Sequence, residues 1–514
     1  MTNVQIDKSK TFFNSQFLED YYSGKLDSLM SFEPNIKGVK DALKYRSHFP
    51  NERRIQLVNV LEEQYHESGI DVSTGLVGDN IRSLISDKSF TVTTGQQIHI
   101  GLGPLYVYYK ILDTLAIVNE LKEEYDGFNF VPVFWMATED HDLEEIRTIP
   151  LFGNKYTWET DQGGAVGRMS TKGVKKVFED IEANVRLDSD MQEFILRCKD
   201  IYSTSVNLSI AFRRLLHSYF VESGLVIIDG DSKGLKESFI PVLEDELAGN
   251  NHSALEETTE RLESYGHKRQ VVVRETNLFK LSEGERTKVQ NVEPKEASEL
   301  IEDIVNLSPN ALLRPLYQEW VLPNLAYVGG QAEVKYWMQL KGLFLNYNME
   351  LPVIHNRSSL ISIPEKMTKK IEVDSWDIFF QSQDEVLSYF DEELKKAKES
   401  LEEKFDQIKK AMDLYSSDVE TTLNGFSVHS KMGKLWSNML NTKGLVDSEF
   451  LKHSTNSSSS KRALKLQGKY FQNDLIQERT EHIIGHLGLF LCLEELRAEC
   501  FGFKNVQKIA IVFT

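Results

Sequence analysis

Apolar residues first recur at helical spacing in the N-terminal part of the chain. Ile55, Val58, Leu61 and Tyr65 fall on one face of a predicted helix over 52–65. The rest of residues 1–88 also reads mainly as helix. We therefore expect the first 88 residues to form an N-terminal helical region that packs on the core of the protein.

The pattern changes at residue 89 to short runs of β-branched and aromatic residues separated by helical stretches. The segments 89–94 and 128–137 are predicted strands on either side of a helix over 105–121. Strand, loop, helix and strand in this order open a parallel, doubly wound sheet. We predict further strands at 224–229, 270–274 and 351–355, and insertions at 156–166 and 277–289. The sequence thus predicts an α/β core over residues 89–375.

A third hydrophobic pattern begins at residue 386, where apolar side chains recur at spacings of three and four with charged runs between them. The stripe consists of Leu387, Phe390, Leu394, Ala397, Leu401, Phe405, Ile408, Met412, Tyr415 and Val419. Asn424-Gly425 interrupts the stripe, and a second helical stretch with a serine run at 457–460 returns toward Gln477. Two long helices joined by a turn predict an antiparallel hairpin. The hairpin is either an intramolecular bundle or a dimerisation arm, and the lack of an obvious third helix in the sequence favours the dimer.

Composition narrows the class of protein. Of 514 residues, 41% are hydrophobic, which is enough apolar material for two or three structural units. The net charge of −19 argues against nucleic acid or anionic lipid as the main partner. The chain lacks an apolar run near the roughly 20 residues that span a bilayer, and its start does not resemble a signal peptide. Three scattered cysteines suit a reducing compartment, so we expect a soluble, cytoplasmic protein.

The first segment with chemical potential is the glycine-rich loop between the first predicted core strand and the following helix. Gly95, Gly101 and Gly103 would let the backbone approach a ligand closely, and Gln96, Gln97 and His99 add polar groups. The free N–H groups at the start of the next helix would attract an anion. The loop matches neither the P-loop nor GxGxxG. It is similar to the His-Ile-Gly-His loop of class I synthetases, although Leu102 replaces the last histidine, and a purely structural turn is the alternative.

The second segment is the end of the next strand, where a very apolar run stops at Glu139, Asp140, His141 and Asp142. Charged residues of an ordinary solvated loop do not need a buried aromatic strand to position them. We therefore interpret the cluster as functional. It could orient an amine or a sugar hydroxyl, bind Mg²⁺ through carboxylates, or move a proton through His141. The sequence nearby offers no second histidine or cysteine, which makes zinc a weaker hypothesis.

The third segment combines Arg314 with Gly329-Gly330 and Glu333. Arg314 could bind a carboxylate or phosphate with its two-pronged guanidinium group. The two glycines permit close backbone approach before a helix, and Glu333 could contact an ammonium group. The alternative is that Arg314 pairs internally and the glycines form only a turn. Isolated polar groups after other predicted strands, such as Arg274 and Arg357, are more simply explained as structural.

Taken in order, these motifs resemble the bacillithiol synthase family. The resemblance rests on a combination of motifs from about residue 90 to 360, with a return near 477. Its elements are Thr94-Gly-Gln-Gln97, Gly103-Pro-Leu-Tyr106, Lys110, Pro132-Val-Phe-Trp135, Glu139–Asp142, Val166-Gly-Arg168, Leu313-Arg-Pro-Leu316, Leu325–Gly330, Glu333, Tyr336-Trp337 and Gln477-Glu-Arg479.

The resemblance implies an α/β fold with a Rossmann-like core of the class I synthetase type. This core would carry connecting-peptide insertions and be followed by a C-terminal antiparallel α-helical coiled coil that forms a homodimer. The expected domains are therefore a helical region over 1–88, the core over 89–375, the coiled-coil arm over 376–476 and a return segment to the core over 477–514.

The resemblance also implies a reaction, the ligation of L-cysteine to glucosaminyl-malate through an amide bond. Such a bond needs an activated carboxyl group, so ATP is the expected cofactor, with Mg²⁺ to screen its phosphates. The expected nucleotide-binding residues are Thr94, Gly95, Gln96, Gln97, Gly103, Pro104 and Tyr106. Glu139, Asp140, His141 and Asp142 would be catalytic, with His141 or Asp142 as base. The expected substrate-binding residues are Arg314, Gly329, Gly330, Glu333 and Tyr336.

Two other functions remain open at this point. One is a different adenylate-forming or nucleotidyl-transfer enzyme on the same core, and the other is a nucleotide-binding scaffold without chemistry. A cleft shared by the strand-end cluster over 139–142 and the loop over 95–106 would favour an enzyme. Placement on opposite faces would favour a scaffold.

Overall fold

The computed structural model describes residues 2–290, 292–369, 371–390, 392–422, 429–454, 458–472, 476–488 and 497–514. The chain divides into two compact units. The smaller unit consists of Met1–Phe12, Ile361–Ile476 and Ile511–Thr514, and the larger of Phe13–Leu360 and Gln477–Ala510.

The described strands form four sheets. They are β1 (Thr2–Asp7), β2 (Ser89–Gln96), β3 (Asn129–Met136), β4 (Thr148–Leu151), β5 (Asn154–Thr157), β6 (Val226–Asp229), β7 (Leu278–Ser282), β8 (Glu285–Lys288), β9 (Leu307–Pro309), β10 (Asn324–Gly329), β11 (Val353–Asn356), β12 (Ser359–Ile363) and β13 (Lys508–Phe513). The sheets have the orders β11-β10-β2-β3-β6, β1-β13-β12, β8-β7-β9 and β4-β5.

The described α-helices lie mainly between these strands. In the larger unit they are α1 (Gln16–Tyr22), α2 (Ile36–Arg46), α3 (Asn51–Glu67), α4 (Gly75–Ser83), α5 (Leu105–Glu124), α6 (Leu143–Ile146), α7 (Val174–Asn184), α8 (Ser189–Thr204), α9 (Leu208–Phe220), α10 (Lys233–Ser238), α11 (Ile240–Leu247), α12 (His252–Ser264), α13 (Pro294–Glu302), α14 (Arg314–Val321), α15 (Gln331–Trp337) and α16 (Lys341–Asn346). The remaining helices are α17 (Glu365–Thr368), α18 (Gln383–Phe390), α19 (Glu392–Thr422), α20 (His429–Ser454), α21 (Ser458–Tyr470), α22 (Gln477–Thr480) and α23 (Arg497–Cys500).

The five-stranded sheet of the larger unit confirms the α/β prediction. All its neighbouring strands are parallel. Counted along the chain, its strands lie in the order fifth, fourth, first, second, third, which is the doubly wound arrangement. The chain reverses its winding direction between β2 and β10. Ligands of such sheets bind beyond the carboxyl ends of the strands at this reversal, so the topology itself indicates where a site should lie.

Burial on both faces explains why the strands are so apolar. β2 is buried from Ser89 to Gly95, β3 from Phe130 to Met136, and most of α5 is buried. One apolar cluster joins Phe90, Val92, Phe130, Val328 and Val353 across four of the strands. Strands covered on both faces lose the alternation of apolar and polar residues, as this sequence shows.

One strand prediction is wrong, and one strand of the five-stranded sheet was not predicted. The segment 270–274 forms no strand, because the side chain of Gln339 takes the place of a partner strand. Its Oε1 accepts from the N–H groups of Gln270 and Val271, both at 3.0 Å, and its Nε2 donates to the Val271 carbonyl at 2.9 Å. The fourth strand of the sheet in chain order is instead β10, which the pattern did not predict. Two smaller differences lie near the start, where β1 precedes the helices and Ile55 is 44% exposed, outside the buried face of α3.

In the smaller unit, α19 and α20 run antiparallel. The rings of Phe405 and Trp436 lie 5.2 Å apart, and Lys443 Nζ lies 3.9 Å from Glu402 Oε1. An earlier residue on α19 thus contacts a later residue on α20, as antiparallel helices require. Asn424, Gly425 and Ser457 lie outside the described residues. Coiled-coil geometry and dimerisation stay predictions.

Two further findings concern the described ranges only. None of their helices combines the length and the apolar character that a membrane span requires. Cys198 and Cys500 are both buried, and Cys492 lies outside the described part of the chain.

Candidate active site

A cavity of about 350 Å³ lies at the reversal point of the parallel sheet, beyond the carboxyl ends of β2 and β10. Its lining includes Gly95, Gln96, Gln97, Glu145, Glu333 and Tyr336. Gly95 and Gln96 end β2, and Gln97 follows it directly. Glu333 belongs to the first turn of α15, the helix after β10. Two of the predicted motifs are thus brought together although more than 200 residues separate them in the sequence.

An ion pair between the buried Lys110 and the partly buried Glu333 forms the floor of the site. The Lys110 side chain is only 1% exposed; its Nζ contacts Glu333 Oε1 and donates to the Gly95 carbonyl at 2.9 Å and to Gln96 Oε1 at 2.8 Å. Glu333 also accepts from the Tyr327 hydroxyl at 2.5 Å and from the Gly330 N–H at 2.9 Å. Burial alone would raise the pKa of Glu333, but the adjacent ammonium and these hydrogen bonds lower it overall. Glu333 therefore presents a fixed negative charge to the cavity.

Arg314 supplies a positive charge beside that carboxylate. Its NH1 donates to Gln318 Oε1 at 3.1 Å and its NH2 to the Tyr336 hydroxyl at 3.0 Å. Among the described residues no carboxylate lies within ion-pair distance of this guanidinium. Its position is therefore fixed by neutral partners, while the nearby Glu333 carboxylate favours its charged form without pairing with it.

The acidic cluster after β3 opens onto a second cavity of about 470 Å³. The two cavities share Trp135, Ala137 and Arg314 in their linings. Gln97 Nε2 donates to Asp140 Oδ2 at 2.6 Å, which joins the glycine-rich loop directly to the cluster. The loop and the cluster therefore face one cleft.

The environment of Asp140 keeps it ionised. Burial would raise its pKa, but the hydrogen bond from Gln97 and the nearby Arg286 guanidinium lower it overall. Arg286 NH1 lies 3.3 Å from Asp140 Oδ1, and the His141 ring Nδ1 lies 3.3 Å from the same oxygen. The His141 side chain is 52% exposed and contacts this carboxylate.

The other two members of the cluster have different environments. Glu139 Oε1 lies 2.8 Å from the buried ammonium of Lys236, and burial raises the pKa of the carboxyl. Asp142 is exposed and caps α6, where its Oδ1 accepts from the Glu145 N–H at 3.1 Å. The pattern Asp-x-x-Glu is a helix-start signal that the sequence already contained. Glu139 and Asp140 line the second cavity, and Asp142 contributes to the start of a helix.

The glycine-rich loop divides into two parts. Gly95, Gln96 and Gln97 line the first cavity, and a Cβ at Gly95 would lie 3.0 Å from the Trp135 carbonyl. The Gln96 amide donates to the Tyr106 hydroxyl at 3.3 Å. The buried Gln97 Oε1 has no hydrogen-bond partner among the described residues. Thr94 lies below the cavity, where its hydroxyl donates to the Val328 carbonyl at 2.9 Å.

The later part of the loop contacts the C-terminal segment instead. The Gly103 carbonyl accepts from Ile483 N–H at 3.4 Å, and Pro104 pairs with His482. The Leu105 N–H, at the start of α5, donates to the Glu481 carbonyl at 3.2 Å. The predicted anion site at this helix start is thus already partly occupied by backbone. His99 is buried here, and burial lowers its pKa to about 4.

Several charged residues of the site were not predicted as site residues, although Arg168 and Lys110 belong to the motifs that carry the family resemblance. Arg168 forms a two-pronged pair with Asp231, with its Nε and NH2 at 2.6 and 2.8 Å from the two carboxylate oxygens. Asp231 also lies 3.0 Å from Lys236 Nζ, which completes a network under Glu139. Arg286 lies on β8, in a segment that the sequence presented only as an insertion. Lys110 could have been found from the sequence, because it is the one charged residue in the first part of α5, over residues 105–112.

Comparison with known proteins identifies the family. The model of the bacillithiol biosynthesis BshC N-terminal Rossmann-like domain matches residues 1–358. The chain belongs to the BshC family. Residues 1–358 contain all the site residues predicted from Thr94 to Tyr336, so this BshC-family domain contains both cavities.

Relatives that bear the name "Putative cysteine ligase BshC" extend the similarity along most of the chain. A protein of Flavobacterium johnsoniae is 35% identical over 496 residues, 90% of this chain and 91% of its own length. One from Flavobacterium psychrophilum is 34% identical over 500 residues, 92% of each chain. A third, from Cytophaga hutchinsonii, is 37% identical over 375 residues, 70% of this chain and 69% of its own.

Proposed function

We propose that this BshC-family chain is a cysteine ligase that joins the carboxyl group of L-cysteine to the amine of glucosaminyl-malate. The observation that supports it most is the hydrogen bond between Gln97 and Asp140, which brings the glycine-rich loop and the acidic cluster into one cleft. A scaffold without chemistry would not need charged groups gathered from the ends of three strands, β3, β6 and β10. The shared cleft favours an enzyme.

Glu333 and Arg314 are the proposed substrate-binding charges. Glu333 would accept the ammonium group of cysteine, since its own counter-ion Lys110 lies on the side away from solvent, 1% exposed. Arg314 would bind a carboxylate of the substrates and is held in place by Tyr336. Gly329 and Gly330 keep the backbone close to both groups, because a Cβ at Gly329 would lie 3.0 Å from the Glu333 Cβ.

The acceptor amine must lose a proton to attack, and the cluster after β3 supplies candidate groups. His141 is the proposed base, since it contacts Asp140, which would stabilise the charged imidazolium. Asp140 and Glu139 would orient the amine. In this proposal Asp142 acts on the helix start and not on the substrate.

ATP is the proposed activating co-substrate, and Gly95, Gln96 and Gln97 are the residues proposed to hold it. The fit rests on their position at the sheet reversal and on the unpartnered Gln97 Oε1, which could accept from an amine or a hydroxyl group. ATP would supply the activation of the cysteine carboxyl, as an acyl-adenylate. Among the described residues no three His, Cys, Asp or Glu side chains could together hold a metal ion. Mg²⁺ would therefore be carried mainly by the phosphates.

The remaining parts of the proposal concern the whole chain. We propose that the core is of the class I synthetase type with β7, β8 and β9 in a connecting-peptide insertion. We propose also that α19 and α20 form an antiparallel coiled coil that makes a homodimer, and that the protein acts in the cytoplasm. The support for the dimer is the set of exposed apolar side chains on these helices, which include Leu401, Ile408, Leu414, Tyr415, Leu435 and Leu445.

A thiol profile by mass spectrometry, in cells with and without this protein, tests the function. Loss of bacillithiol together with accumulation of glucosaminyl-malate is the expected result. Unchanged levels of both would contradict the proposal. ATP–pyrophosphate exchange driven by an acid other than cysteine would instead support another adenylate-forming enzyme.

A further inference from the structure

The 470 Å³ cavity beyond β3 contains more positive charge than its own acids require. Its charged lining residues are Glu139, Asp140, Arg274, Arg286 and Arg314. Glu139 is paired with Lys236 below the cavity, and Asp140 is paired with Arg286. Arg274 and Arg314 therefore remain as two guanidinium groups without a carboxylate among the described residues.

The backbone that carries Arg274 is fixed at both ends. Gln339 binds its beginning through the N–H groups of Gln270 and Val271. At its end, the Arg274 carbonyl lies 3.0 Å from His252 Nδ1 and accepts from Asn277 Nδ2 at 3.3 Å. These contacts use only backbone atoms of the segment. They position the Arg274 side chain without engaging its guanidinium, which is the arrangement expected of a preorganised ligand-binding group.

Arg286 delimits the same cavity and is held differently. Its guanidinium stacks on Phe279 at 4.1 Å from the ring centre, and its NH2 donates to Ser308 Oγ at 3.2 Å and to the Pro309 carbonyl at 3.1 Å. The charge of this arginine is already paired with Asp140, and its NH2 group is used by two neutral acceptors, although its buried Nε has no hydrogen-bond partner among the described residues. The free charge in the cavity is thus assigned to Arg274 and Arg314.

We infer that Arg274 is a specificity-determining residue that binds a carboxylate of a dicarboxylate group on the acceptor, with Arg314 binding the second carboxylate. The inference rests on the proposed function, in which the acceptor is a malyl glucosaminide with two carboxylates. Two guanidinium groups without an ion-paired carboxylate among the described residues match that charge. Glu139 and Asp140, in the same cavity, then lie beside the sugar end that carries the amine.

The test is calorimetric titration of the full chain with L-malate and, separately, with ATP. Arg274→Gln should weaken malate binding by about 10- to 100-fold, the loss expected for a charged hydrogen-bond pair, and leave ATP binding unchanged. Arg274→Lys should recover part of the affinity, since it keeps the charge but not the two-pronged geometry. Arg261→Gln, at an exposed position on α12, is the matched control and should bind malate like the wild type.

Kinetics provide an independent readout. With glucosaminyl-malate as acceptor, Arg274→Gln should raise KM and change kcat little. Equal malate affinity of Arg274→Gln and wild type, a loss of ATP affinity instead of malate affinity, or no malate binding by the wild type would each overturn the inference. If malate binds in an Arg274-dependent way but no amide product forms, the dicarboxylate site stands and the proposed ligase function fails.

Discussion

Two regions of this protein distribute charge and apolar surface in opposite ways. At the carboxyl edge of the parallel sheet, charged side chains are buried, and Lys110 is 1% exposed. On the helix pair α19 and α20, apolar side chains are exposed, and Leu414 and Tyr415 are 66% and 62% accessible. Both arrangements are costly for an isolated folded chain.

The difference indicates what each region requires. Burying an ion pair contributes little to stability but fixes charges in place, as a site for a charged substrate needs. Apolar side chains in a row on exposed helices gain stability only when another surface covers them. We therefore expect mutations at the sheet edge to change folding and chemistry, and mutations on the helix pair to change association.

The largest expected effect is on stability at the sheet edge. Lys110→Met removes the counter-ion of the partly buried Glu333 and the donor to the Gly95 carbonyl and Gln96 Oε1, and should lower the free energy of unfolding by about 2–4 kcal/mol in urea denaturation. The matched control is Lys443→Met on α20, whose contact with the exposed Glu402 is 3.9 Å long and should contribute less than about 1 kcal/mol. The double variant Lys110→Met/Glu333→Leu should recover part of the loss. Equal losses at Lys110 and Lys443 would remove the contrast between the regions.

The next effect concerns chemistry and separates two neighbouring aspartates. Asp140→Asn keeps the shape of the side chain but removes the charge beside His141, and should lower kcat/KM for amide formation about 100-fold. Asp142→Asn is the control, because asparagine caps helices about as well as aspartate, and its activity should stay within about twofold of the wild type. Initial rates with cysteine and glucosaminyl-malate measure both. A larger loss at Asp142 would return the catalytic role to that residue.

A third effect is the pH dependence of stability, and it should originate in the larger unit. Burial lowers the pKa of His482 to about 3 and that of His99 to about 4, against 6.5 for an accessible histidine. Between pH 6.5 and 4 the unfolded chain binds protons that the folded chain does not, so stability is complete above pH 6.5 and falls with acid. By pH 5 each histidine should contribute about 2 kcal/mol of this loss.

Urea denaturation between pH 5 and 8 measures this dependence. His482→Gln should reduce the difference in unfolding free energy between pH 7 and pH 5 by about 2 kcal/mol. The exposed His66 on α3 provides the control substitution to glutamine, which should leave that difference as it is. An unchanged pH dependence in His482→Gln would show that acid acts elsewhere.

The sequence predicted the centre of the fold because its strands are buried on both faces. β2, α5 and β3 have the run lengths and apolar character that a covered parallel strand and its crossover helix require. The same rule failed at 270–274, where three valines in a row suggested a strand. The backbone groups of the first valine, Val271, and the N–H of Gln270 are satisfied by the side chain of Gln339, which lies 68 residues after Val271, and no local pattern indicates such a partner.

β10 was missed for the opposite reason. It has Asn324 at its start and glycine at its end, and both suggest a loop. In the folded protein the Asn324 amide oxygen accepts from the hydroxyls of Thr91 and Thr93 at 3.1 and 2.8 Å. A polar residue inside a buried strand is stable when a neighbouring strand provides such partners, and these are visible only in three dimensions.

The sequence predicted which strand ends carry the candidate site, but not the network of ion pairs that connects its residues. An apolar strand that stops at four ionisable residues identified Glu139 and Asp140 from local sequence alone. Their counter-ions, Lys236 and Arg286, follow 97 and 146 residues later, on elements whose own sequences give no functional signal. Pairing of charges across the sheet edge is a tertiary property, which spacing along the chain cannot show.

The smallest expected effect on folding lies on the helix pair. Ile408 on α19 is 47% exposed, so Ile408→Ser should change the free energy of unfolding of the monomer by no more than about 0.5 kcal/mol. If a second copy covers this face, the same variant should weaken the dimer about 10-fold or more in sedimentation velocity, because an apolar contact is lost from the interface. Lys410→Ser, two residues along and exposed, is the control and should change neither quantity. A monomeric wild type, or a dimer that Ile408→Ser leaves intact, would mean that these apolar side chains do not form the interface, and the contrast between the two regions would need another explanation.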